Sequence, residues 1–148
     1  MEPTRLVLCQ TAEDRRLAGA DWKEQEVMSA WTADELHSLD QIEEIRVAGR
    51  RQDGSLRTLT IVWHVVVGRS LYVRSVRGVE GAWYKGVLHH HEGAISWHGQ
   101  TRDVTYISDH TVDDQLDAAY FTKYGNGPDT VAITNTTSNA TTLRVEPR

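Results

Sequence analysis

The chain has one cysteine, Cys9, in 148 residues. It can close no intramolecular disulfide and build no cysteine-based metal site, and a reducing cytoplasm is the compartment such usage fits. No apolar run approaches the roughly 20 residues a membrane-crossing helix needs. The early patch Leu6-Val7-Leu8 is too short for the core of a secretion signal. On that reading Asn135-Thr136-Thr137 and Asn139-Ala140-Thr141 are loop composition rather than glycan acceptors. The chain also lacks a Gly-x-Ser-x-Gly elbow, a phosphate-cradling Walker loop and a Gly-x-Gly-x-x-Gly fingerprint. These absences set aside the common nucleophilic-serine and nucleotide-binding classes. There is no internal repeat and no low-complexity segment.

What is present is ordinary for one soluble domain: 39% hydrophobic and 25% charged residues, at a length that buries a real core. The net charge of −5 argues against nucleic acid as partner, because phosphate backbones attract basic surfaces. Its distribution is uneven. Residues 1–45 hold four basic and eleven acidic side chains, a net of −7; residues 46–85 hold eight and two, a net of +6; residues 86–148 hold four and eight, a net of −4. A positive middle third on an acidic chain suits a small anionic ligand, although clustered charges on strand edges would give the same count.

Residues 1–29 read as a poorly specified leader, with a weakly amphipathic stretch from Glu13 to Val27. The domain, residues 30–148, opens at Trp31. Thr32 and Glu35 have the spacing of a capping box, which predicts a short helix to about Leu39. From Glu44 the period switches to two, predicting a strand to about Arg51. Asp53-Gly54 marks a hairpin. The run Leu56 to Val67 is apolar on both faces and reads as one central strand. Ser70 to Val76 reads as the next strand, Arg77 to Gly81 as a loop, and Ala82 to about His89 as a short helix. After a turn at Glu92-Gly93 come strands Ala94 to His98 and Arg102 to Ile107. Thr111 and Asp114 predict a capped helix that Gly125 ends, and Asp113-Asp114 suit its dipole. Val131-Ala132-Ile133 and Thr141 to Val145 read as closing strands. Short hairpins and few parallel crossovers predict an α+β fold, a small antiparallel split β-barrel with flanking helices.

Three groups of residues invite chemistry. His89-His90-His91 cannot all face one ion from a helix or strand, so a surface role is expected and no metal is assigned. His64 sits in the central apolar run and is either a satisfied core histidine or a donor to a bound ligand. The segment Val73 to Lys85 runs strand, glycine-bearing loop, helix start. Amides at a helix start bind anions, and Arg74, Arg77 and Lys85 add charge. Gly78 and Gly81 admit close backbone approach. Trp83 and Tyr84 serve either as a flat apolar wall or as core anchors.

These residues carry a resemblance. Trp31-Thr32-x-Asp34-Glu35-Leu36, Leu71-Tyr72-Val73-Arg74-Ser75, Gly78, Trp83-Tyr84, Gly99-x-x-Arg102-Asp103-Val104 and Ala119-Tyr120-x-x-Lys123-Tyr124 resemble the bacterial domain-of-unknown-function family DUF2255 over residues 30–148. That family is similar to the split β-barrel deazaflavin-dependent nitroreductases and the FMN-binding pyridoxamine phosphate oxidase-like proteins. The nitroreductases carry a cofactor loop of the form Ser, Gly-Gly, Pro-Ala-Trp-Tyr, and Ser75, Gly78, Ala82, Trp83 and Tyr84 match it in order. The Gly-Gly pair is missing, Glu80-Gly81 stand in place of Asn-Pro, and Lys85-Gly86-Val87 replace His-Asn-Leu. The stretch Arg50 to Arg57 resembles their basic strand pair. The resemblance implies a cytoplasmic homodimer, and FMN or a deazaflavin held by Arg57, Arg74, Ser75, Arg77, Gly78, Trp83 and Lys85. His64 and Tyr84 would be the catalytic candidates on a small, anionic molecule. The alternative is a cofactor-free binding protein or cofactor-independent enzyme using the same barrel pocket.

Overall fold

Strands β2 (Thr60–Val62) and β3 (His64–Val67) are separated by one residue, Trp63, yet lie at opposite ends of a seven-stranded sheet. The sheet is ordered β2-β1-β5-β6-β7-β4-β3 and every neighbouring pair is antiparallel. A sheet whose two ends are tied by one residue must curl on itself, and the strands form a nearly closed barrel. The computed structural model describes residues 30–148, so the leader reading lies outside the described residues. Residues 31–148 form one compact unit.

The other elements are α1 (Ala33–Gln41), β1 (Ile45–Gly49), β4 (Ser70–Val73), a 3-10 turn (Gly78–Glu80), α2 (Ala82–His90), β5 (Glu92–Trp97), β6 (Gln100–Ser108), α3 (Asp113–Tyr124), α4 (Pro128–Ile133), α5 (Thr136–Asn139) and β7 (Leu143–Pro147). The α1 capping box forms as the spacing predicts: Glu35 N–H donates to Thr32 Oγ1 at 3.1 Å and Thr32 N–H to Glu35 Oε1 at 2.9 Å. Inside the barrel Ile45, Val47, Leu71, Val73, Ile95, Val104, Leu143 and Val145 pack with Val87 and Tyr84 of α2. Trp31 plugs one side, edge-on to Trp97 at 6.0 Å, with its indole N–H donating to Val145 O at 2.8 Å. A second cluster on the outer face joins Val65 and Tyr72 to Leu116 and Tyr120 of α3 and Ile133 of α4.

The α+β barrel stands as the sequence predicts, and four local readings change. The run Leu56 to Val67 is not one central strand. It breaks at Trp63 and supplies both ends of the sheet, because each half finds a different partner, β1 or β4. Val131 to Ile133 is helical. Gly127-Pro128 gives α4 an N-cap and an N1 proline, and three residues are too few for β-propensity to override that start. Thr111 does not cap α3. Asp109 Oδ1 accepts from both the Thr111 amide at 2.9 Å and its hydroxyl at 2.6 Å, and Val112 is the N-cap of α3, without a side-chain cap. The turn expected at Glu92-Gly93 falls one residue earlier, at His91 with φ 57°. Gly93 itself lies in β5, where a Cβ would come within 1.9 Å of Ala48 O.

Candidate functional site

The loop between β4 and α2 turns back so that Ser75 meets the start of α2. Gly78, at φ 66°, makes the turn, and its amide donates to Ser75 O at 2.9 Å. Gly81 is the N-cap of α2 and contributes no side-chain cap. A Cβ there would sit 2.3 Å from Ser75 Oγ, so only glycine admits that hydroxyl. The first helical bond runs from Lys85 N–H to Gly81 O at 3.0 Å. The amides of Ala82, Trp83 and Tyr84 therefore have no intrahelical partner. Ser75 is 1% exposed, and its hydroxyl is buried without a hydrogen-bond partner among the described residues. A buried hydroxyl left unpaired costs about 1–3 kcal/mol. Placed beside unpartnered helix-start amides, it completes a set of donors suited to an anion.

Ser75, Ala82 and Trp83 border a cavity of about 390 Å³, lined by Thr60, Ile61, Val62 and Trp63 from the β2 region and by Arg74 to Arg77, Gly81, Ala82 and Trp83 from the end of β4 to the start of α2. Glu44, Asp129 and Ile133 complete it. The volume lies toward the lower end of the range for small-molecule pockets. Trp63 and Trp83 give the cavity two half-buried aromatic walls. Arg77 is exposed at its rim.

The sequence candidates divide. Ser75, Arg77 and Trp83 line the cavity, and Gly78 builds the turn that shapes it, packed against Thr137. Arg74 also lines it, but its guanidinium is spent. It donates to Asp117 Oδ1 at 2.6 Å, Asp113 Oδ1 at 3.1 Å and Thr142 Oγ1 at 2.9 Å. Two carboxylates outweigh its single charge, so Arg74 anchors α3 to the barrel rather than meeting an anion. Lys85 is exposed and paired with Glu80 at 3.0 Å. Arg57 lies across Gly86 of α2, with its Nε buried and unpartnered, outside the cavity lining. Tyr84 packs in the barrel core, where burial pushes its phenol up.

His64 is fully buried and does not line this cavity. Its Nε2 lies 2.6 Å from Leu39 O and 3.2 Å from Lys123 Nζ. Burial, together with the Lys123 charge, pushes its pKa down to about 4, so the ring is neutral near pH 7. His89 and His90 end α2, and His91 caps it in the left-handed conformation. The residues that sequence reasoning missed are Ile61, Trp63, Glu44 and Asp129. Only the apolar character of Ile61 and Trp63 signalled a wall, and nothing local placed β2 opposite α2.

The fold and cavity define an antiparallel β-barrel with a pocket bordered by the start of α2. The chain belongs to the bacterial family described as "Uncharacterized protein conserved in bacteria (DUF2255)", whose model matches residues 35–145. Its fold is shared with the conserved hypothetical protein Rv2991 from Mycobacterium tuberculosis, at 11% identity over 80% of each chain with a TM-score of 0.51. A structure titled F420 reductase aligns at 14% identity over 74% of this chain and 88% of that one, with a TM-score of 0.46. A pyridoxamine 5'-phosphate oxidase-related, FMN-binding protein from Nostoc punctiforme aligns at 11% identity over 90% and 82%, with a TM-score of 0.38. No curated protein sequence matches the chain.

Proposed function

We propose that this chain binds a planar, phosphate-bearing redox cofactor of the flavin or deazaflavin class in the cavity at the start of α2, and acts as an oxidoreductase on a small molecule. The buried, unpartnered hydroxyl of Ser75 beside the uncapped helix start carries this reading. The residues present fit the group. Ser75 Oγ, the amides of Ala82 and Trp83, and Arg77 would hold the phosphate, and Trp63, Ile61 and Trp83 would flank the ring. Bound there, such a cofactor supplies hydride or electron transfer. The chain's own part is to orient the ring between aromatic walls. Arg74, held by Asp113 and Asp117, fixes the strand end from which Ser75 projects.

Exposed Ile61 and Val76, which line the cavity, support a homodimer in which a second copy covers its mouth. Among the described residues no helix is long and apolar enough to cross a membrane, and a cytoplasmic location belongs to the same proposal. The cavity's modest volume favours a second reading, a cofactor-free protein for a smaller anionic metabolite. Titrating FMN and coenzyme F420 into the purified chain, followed by tryptophan quenching and by mass in solution, separates the two. Micromolar binding of either cofactor supports the first; binding of inorganic phosphate alone supports the second.

A further inference from the structure

A second cavity of about 490 Å³ lies beside the C-terminal turns of α1 and α3, lined by Asp40, Gln41, Glu43, Trp63, Lys123 and Tyr124. It shares only Trp63 with the cavity described above. Its wall is flat and fixed. The Trp63 indole and the Tyr124 ring stack with centroids 4.0 Å apart and planes 6° apart. The Tyr124 hydroxyl donates to Glu43 O at 2.6 Å and accepts from His64 N–H at 3.1 Å.

Beside this wall Lys123 Nζ lies 3.2 Å from His64 O, 3.5 Å from Leu39 O and 3.2 Å from His64 Nε2. The third neighbour is no acceptor. At 2.6 Å from Leu39 O, Nε2 must carry the ring proton, because two lone pairs that close repel. The imidazole tautomer therefore leaves Nζ two carbonyl acceptors, and no carboxylate among the described residues lies within ion-pair distance of it. Two carbonyls satisfy the two N–H groups of a neutral amine and leave its lone pair unused. Burial pushes the Lys123 pKa down to about 8, against the opposing pull of Asp40 and Glu43.

We propose that Lys123 is a nucleophilic amine that forms an imine with a small, uncharged aldehyde held against the Trp63–Tyr124 wall. The Nζ lone pair forms a bond to the carbonyl carbon, the two protons of the neutral amine pass to the carbonyl oxygen, and the C–O bond breaks to release water. No oxidant or further reactant is consumed. Asp40 and Glu43 select the chemistry: they favour a cationic iminium, and they repel an anionic aldehyde or a carbamate. Apart from the shared Trp63 wall, this site is independent of the cofactor proposal, since Lys123 lies outside the first cavity.

The test uses the full chain, which has three lysines: Lys23, Lys85 and Lys123. Benzaldehyde with sodium cyanoborohydride should give one lysine adduct, resolved by peptide mass from any at the α-amine and mapped to Lys123, with a trapping rate at that peptide that rises through about pH 8. The preference should vanish in urea. Lys123→Arg should abolish the adduct and Lys85→Arg retain it, and glyoxylate should be trapped at least ~10-fold more slowly, a difference of ~1.4 kcal/mol. Adducts spread evenly over Lys23 and Lys85, a rate that climbs only toward pH 10, or equal trapping of glyoxylate would overturn the proposal.

Discussion

Arg74 and Arg77 are three positions apart and have opposite fates. Arg74 has no exposed side-chain surface and is held by Asp113 and Asp117, whereas Arg77 is exposed at the cavity rim. Arg74→Met would leave two carboxylates facing a buried wall, and a loss of about 3–5 kcal/mol is expected in denaturant unfolding. Arg77→Ala should change stability by less than about 0.5 kcal/mol and weaken an anionic ligand about 10-fold. The same measurement pair on each variant checks both. His64 gives a pH signature of its own. Its folded pKa, about 4, lies below its ordinary 6.5, so between those values the unfolded chain binds more protons. Stability should therefore fall as the pH drops from 6.5 to 4, by roughly 3 kcal/mol at most. His64→Gln should flatten that part of the profile in urea titrations at stepped pH. Asp113 adds a further loss at lower pH. Burial pushes its carboxyl up, but the hydrogen bonds from Thr142, His110 and Arg74 outweigh it and hold the carboxyl below its usual range.

At the scale of elements, α2 and β5 carry the most demanding backbone geometry. A Cβ at Gly93 would lie 1.9 Å from Ala48 O, across the β1–β5 pairing. Gly93→Ala must separate those strands, and loss of several kcal/mol or of the folded state is expected in a thermal melt. Much at this scale was legible from sequence. The capping box at Thr32, the alternation from Ile45, the Asp53-Gly54 turn and the strand-loop-helix order around Ser75 each rest on local chemistry, and local chemistry is what a sequence displays. What stayed hidden was set by distant partners. Arg74 reads as a free cation until Asp113 and Asp117 arrive from 39 and 43 residues away. The apolar run through Trp63 reads as one strand because both halves are apolar, and only barrel closure shows that the halves pair with different neighbours. Val131 to Ile133 had a strand's composition, but the Gly127-Pro128 start decided the helix.

At the scale of the whole molecule, the basic middle third resolves into two roles. Some of its charge is structural, in Arg74 with Asp113 and Asp117 and in Arg50 with Asp103. Of the others only Arg77 borders the cavity, beside exposed Val76. The barrel thus presents one end pocket with donors and aromatic walls, a rim of apolar residues, and a separate lysine cavity behind Trp63. The central claim is that Ser75 and the start of α2 form an anion site for a flavin or deazaflavin. The direct measurement is a binding titration of FMN and F420 on the native chain and on Ser75→Ala. Micromolar binding of one cofactor by the native chain is expected. In the variant affinity should be about 10-fold weaker with an unchanged or slightly raised melting temperature, because the lost hydroxyl had no protein partner. Equal affinity in both chains, or no binding of either cofactor, would contradict the claim.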